Sequence, residues 1–129
     1  MQELQNISFK KTDGKLKEMF SIKAESIAKQ LNDGSNRKDI STTQFRKFYD
    51  KVLELTQKSE NLEQKEFEIE VLPFLKMLKS KVAYAKTRKT CGDNFVKLMN
   101  TSIDKVNSAE ELKNFKYFLE SIIGFMPKN

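Results

Sequence analysis

Apolar residues recur along most of the chain at intervals of three and four, which gathers them on one side of a helix. In residues 15–31 that stripe is Leu16, Met19, Phe20, Ile27 and Leu31, with Ala24 and Ala28 beside it. Asn32-Asp33-Gly34 ends it, because glycine accepts the left-handed backbone at which helices stop. A polar loop, GSNRKDI, covers 34–40. A second helix opens at Ser41 or Thr42, either of which can cap it, with Gln44 three residues after Ser41 as in a capping box. Its stripe is Phe45, Phe48, Tyr49, Val52 and Thr56, widened by Leu53 and Leu55, and the polar KSENLEQK follows.

The third helical pattern spans residues 65–88 and contains Pro73, which lacks an amide and disfavours helical backbone at Leu72. Either the helix kinks at Pro73, or it starts there with 67–72 as a looser entry. Phe74, Leu75, Leu78, Val82 and Ala85 form its inward stripe. Phe95, Met99, Ile103 and Val106, flanked by Leu98, mark a fourth helix over 93–106. Ser108 with Glu111 reads as a capping box opening a fifth, whose stripe is Leu112, Phe115, Phe118, Leu119, Ile122 and Ile123, ending at Gly124. Only FEIEV, around Ile69, alternates as a strand would. Residues 1–14 are polar overall and read as a flexible N-terminal arm, leaving 15–129 as the domain. The pattern predicts an all-α, single-domain bundle of about five helices, mostly antiparallel because the loops are short.

Composition narrows the chemistry. The 129 residues suit one domain, and the net charge of +6 suits a polyanionic partner or simply a solvated surface. No histidine is present, which removes the usual neutral-pH proton carrier and the commonest nitrogen ligand for metals. The one cysteine, Cys91, cannot close an intramolecular disulfide, which fits a reducing compartment. The N-terminus lacks the apolar run of a secretory signal, and no apolar run approaches the ~20 residues a membrane span needs, so a cytoplasmic protein without a membrane partner is expected. There is no glycine-rich phosphate loop and no grouping of metal ligands. A cofactor is not expected, and an enzyme reading has only scattered carboxylates behind it.

Charge is distributed unevenly. Glu60, Glu63, Glu66, Glu68 and Glu70 crowd one stretch, whereas residues 72–89 contain no acidic side chain. Beside the inward stripe of that basic helix runs a second one, Met77, Lys81, Tyr84 and Arg88, flanked by Lys76, Lys79 and Lys86. A row of cations with one aromatic can follow a phosphodiester backbone and stack on a base. The plainer reading is that the lysines solubilise the helix and Tyr84 is a half-buried packing residue. Arg46 and Lys47 stand in the first turn of the second helix, where free amides attract phosphate and a cation opposes the helix dipole. Arg46 can equally pair with Asp50, four residues on.

Three stretches, TTQFRKFYDKVLEL (42–55), LPFLKMLKSKVAYAKTR (72–88) and ELKNFKYFLESIIGF (111–125), together resemble the small subunit of the type III-A CRISPR–Cas effector, the Csm complex. The resemblance covers most of 41–125 and finds nothing in residues 1–40. It implies a small helical protein without enzymatic activity. Copies would stack along the inside of the effector, against the backbone and large subunits, and touch the crRNA–target RNA duplex. With the family in view, Arg46, Lys47, Lys81 and Arg88 are the main candidates for RNA contact, and Lys79, Tyr84 and Lys86 the second rank. Guide pairing reads the sequence, so such a subunit needs only to recognise a backbone. The competing expectation is a helical interaction module whose basic face meets an acidic protein. The acidic stretch of one copy and the basic helix of the next could then pair.

Overall fold

The structure is a computed structural model, describing residues 1–128. A helix, α1, runs through Leu16–Glu18, a π-helical turn Met19–Lys23, and Ala24–Leu31. It is followed by α2 (Thr42–Lys58), a short α3 (Gln64–Glu70), α4 (Leu72–Thr87), α5 (Asp93–Asp104) and α6 (Ala109–Gly124). The all-α single domain expected from the apolar period is what forms.

Local chemistry explains most boundaries. Ser41 caps α2, its hydroxyl accepting from the Gln44 amide at 3.1 Å, and Ser108 caps α6 by accepting from the Glu111 amide at 3.1 Å. The Glu111 carboxylate turns back to the Asn107 amide at 2.7 Å. A capping box that the sequence reading passed over opens α3, where Glu66 accepts from the Glu63 amide at 3.0 Å. FEIEV is therefore helical, its alternation notwithstanding. At Pro73 the choice falls to a fresh start: α3 ends at Glu70, Val71 caps it, and α4 begins at Leu72. Proline then sits in the first turn, where its missing amide has no partner to lose. The π turn in α1 has a packing reason. Met19 and Ala24 are both fully buried but five residues apart, a spacing that a 3.6-residue period misaligns and a wider turn absorbs.

Neighbouring helices run antiparallel, as polar contacts between their ends report. Thr42 at the start of α2 donates to the Pro127 carbonyl beyond α6. Lys86 near the end of α4 pairs with Asp93 at the start of α5. Lys58 at the end of α2 lies over Phe74 at the start of α4. The core joins these faces through rings: Phe45 and Phe48 of α2 meet Phe95 of α5 at centroid distances of 5.1 and 5.2 Å.

The first 14 residues differ from the polar arm read in the sequence. Leu4, Ile7 and Phe9 are buried, and Phe9 packs on Phe115 and Phe118 of α6 at 5.4 and 5.9 Å. Asn114 donates to the Phe9 carbonyl at 2.8 Å, and Lys23 donates to the Glu3 carbonyl at 3.2 Å. The segment is a strap across the bundle. Its apolar residues follow no helical period, so periodicity could not find them.

Candidate nucleic-acid interface on α4 and its surroundings

Helix α4 buries Leu75, Leu78, Val82 and Ala85 and presents the rest outward. Phe74, expected in the inward stripe, is 46% exposed and starts the outward one. That row reads Phe74, Met77, Lys81, Tyr84, Arg88, at steps of three and four residues. Tyr84 is 61% exposed, so it is not the packing residue that the plainer reading made of it. The Arg88 guanidinium donates to the Tyr84 hydroxyl at 2.9 Å and lies 5.6 Å from the ring centroid. A planar cation already held by a hydroxyl loses little further freedom when it forks onto an anion. Lys81 has no carboxylate within ion-pair distance among the described residues.

The other lysines of α4 turn to α5. Lys79 pairs with Asp104, to which Lys76 also comes at 4.0 Å, and Lys86 pairs with Asp93. Its Asp93 partner raises the Lys86 pKa by hydrogen bond and charge, and Lys86 lowers that of Asp93 in the same way. Both pairs are open to solvent, so their net charge rather than their strength matters here. Of the seven candidate residues, then, Lys81, Tyr84 and Arg88 form one row without acidic partners among the described residues, while Lys79 and Lys86 stand on the opposite flank with acidic partners.

Arg46 and Lys47 lie on α2 and diverge. Arg46 makes no ion pair with Asp50; it borders Tyr49, whose hydroxyl meets Glu120 of α6 at 3.4 Å. Burial first and Glu120 second raise the Tyr49 pKa. Lys47 shares the face of Lys51 and Lys58, four and eleven residues on. Lys51 and Lys58 form one rim of a groove of about 250 Å³ between α2 and α4. Lys81 stands on its other rim, and Phe74, Met77, Leu55 and Leu78 supply its apolar lining. Glu54, 3.8 Å from Lys51, is the acidic residue along it.

On the Lys86 flank, at the end of α4, further cations come from residues in loops. Arg37, Lys38, Lys86 and Lys89 border an open concavity of about 520 Å³, with Asp39 and Asp93. Asp39 builds this corner. Its carboxylate accepts from the Asn94 and Phe95 amides at 3.1 and 2.8 Å, capping α5 from 55 residues upstream, and its carbonyl accepts from Gly92 at 2.8 Å. Ile40 and Cys91 form a lone antiparallel bridge beside it. A side chain at Gly92 would collide with the Asp39 carboxylate, which is why glycine stands there. This long-range cap carries Arg37 and Lys38 to the end of α4, and no local signal announces it. Lys89 has φ +63° in the turn where its own amide donates to Lys86 and that of Thr90 to Ala85, the place glycine usually takes after a helix. The Cys91 thiol is buried and its pKa pushed up to about 11, by burial first and Asp39 second, so it stays protonated at neutral pH.

With that geometry in place, comparison with known families gives a match of residues 14–126 to the family described as Csm2 Type III-A. The chain belongs to that family. It is thereby a small subunit of the type III-A CRISPR–Cas Csm complex, a structural component alongside other subunits. The match takes in α1, whereas the motif resemblance started only at α2. No curated protein and no solved structure matches the chain. Among the described residues, no group of carboxylates and cysteine could hold a metal ion, and no helix is long and apolar enough to cross a membrane.

Proposed function

We propose that this chain is a non-catalytic, RNA-binding small subunit, working in the cytoplasm, whose copies stack inside the effector and line the channel holding the crRNA–target RNA duplex. The observation that carries this reading is the row Lys81, Tyr84, Arg88, paired with no acid among the described residues, with Lys89, Arg37 and Lys38 adding cations beside Lys86 at the end of the same helix. Phosphates arrive at regular intervals along a strand, and an extended cationic row matches them without reading bases. Arg46, Lys47, Lys79 and Lys86 are secondary contacts in this reading, the last two sharing their charge with Asp104 and Asp93. Tyr84 holds Arg88 and offers its own ring face or hydroxyl to the ribose.

The test is purification of the chain from its native host, with sequencing of the accompanying RNA. Short RNAs with CRISPR repeat tags and the other Csm subunits are the expected company. The double variant Lys81→Ala, Arg88→Ala should then lower RNA affinity. It should also flatten the salt dependence by about 0.7 in log–log slope for each single-strand phosphate that is no longer neutralised. An unchanged slope would remove the RNA role from this face. The apolar groove favours a second reading for its own part of the surface, a protein partner, developed next.

A further inference from the structure

The acidic helix α3 carries an oddity of its own. Phe67 is its buried anchor, but Ile69 is 61% exposed among Glu66, Glu68 and Glu70. Glu70 has no hydrogen bond or ion pair among the described residues, and Glu68 only a contact from Gln64 at 3.3 Å. The α2–α4 groove is its complement. Phe74 and Met77 are about half exposed in it, and Lys51, Lys58 and Lys81 stand on its rims.

We infer that the groove between α2 and α4 receives the acidic helix α3 of a second copy of this chain, with Ile69 seated on Phe74 and Met77 and a carboxylate of Glu68 or Glu70 set against Lys58 of α2, which leaves Lys81 to the row that continues to Arg88. An apolar plug in a helix whose three glutamates outnumber Lys65 and an apolar floor whose three lysines outnumber Glu54 are opposite in net charge. The groove's lining comes from α2 and α4 alone, and α3 of the same chain ends at Glu70 before the groove begins. Plug and groove are different surfaces, so the contact is head-to-tail, leaves one of each free at the ends, and extends into a row. The inference rests on the stacking proposed above and specifies its surfaces.

The experiment uses the assembled complex. Native mass spectrometry first counts copies of this chain per complex. Copies bearing Ile69→Cys and copies bearing Met77→Cys are then co-expressed with different tags and oxidised. Mixed disulfide-linked pairs should exceed those from an Ile22→Cys, Met77→Cys control by about tenfold, since docking raises the effective concentration of the two thiols. Wild-type chain, whose buried Cys91 is its one thiol, should give none. In the unmodified complex, with half the copies isotope-labelled, carbodiimide should join Glu68 or Glu70 to Lys58 in mixed-isotope pairs. Several copies without these links would overturn the docking and leave the small-subunit reading standing. Links of Ile69→Cys copies only to one another would overturn the head-to-tail arrangement. A single copy per complex would overturn stacking and docking together.

Discussion

The two halves of α4 share one buried stripe and differ in what they turn outward. The first half exposes Phe74 and Met77, with Lys58 of α2 lying over the Phe74 ring. The second half exposes Lys81, Tyr84 and Arg88, and on its other flank Lys86 is joined by cations from the turn after the helix and from the loop Asp39 pins there. One helix thus offers a surface suited to a protein at one end and a surface suited to a phosphate chain at the other. The difference teaches that a helix's inner face is set by its own sequence, while the meaning of its outer face depends on which neighbours are folded against it.

That division can be broken from within first. Leu75→Ala should cost about 2–5 kcal/mol, as for other large-to-small changes in a packed core, whereas Phe74→Ala, one residue away and half exposed, should cost about 1 kcal/mol or less. Urea unfolding followed by circular dichroism separates the two. Comparable destabilisation by both would mean Phe74 is structural and the outward row begins later. A subtler effect is expected at the basic end. Lys89→Gly relieves a left-handed backbone that costs a side-chain-bearing residue about 1–2 kcal/mol, partly offset by the greater freedom of glycine in the unfolded chain. Thermal melting should therefore rise while RNA affinity falls. A rise in both would detach Lys89 from the RNA surface.

The smallest expected effect concerns the flank of α4 facing α5. Lys86 depresses the Asp93 pKa, so the pair's contribution is present above the ordinary carboxylate pKa of about 4 and is lost as pH falls through the depressed value. Asp93 raises the Lys86 pKa, so at the alkaline end the contribution is present below the ordinary lysine value and is lost as pH rises through the raised one. Asp93→Asn should flatten the acid limb of a stability–pH profile slightly, without altering the neutral plateau by more than an exposed pair does. It should also free Lys86 for an anion, and a tighter RNA complex in this variant would show that Asp93 had been competing for it.

Much of the architecture was legible. The stripes of α2, α5 and α6 and the Ser41 and Ser108 caps are local, and local patterns survive folding. What escaped was non-local or aperiodic. Pro73 was ambiguous because kink and start share one signal, and packing chose. Phe74 lies at a spacing that fits two adjacent stripes, and only its neighbours decide which. Arg37 and Lys38 sit in an ordinary polar loop until Asp39 reaches across to cap α5. The outward row on α4 was visible as spacing, but its separation from Lys79 and Lys86 required knowing where Asp93 and Asp104 fall.

The strap over α6 has a consequence for the order in which this chain is made. Phe9 leaves the ribosome first of the residues it will pack with, and Phe115 and Phe118 come more than a hundred residues later. At ~5–20 residues per second of synthesis, the apolar strap waits on the order of 5–20 seconds before its seat exists. Closing that contact spans more than a hundred residues, the kind of pairing that slows folding most, so the strap stays open until α6 has formed.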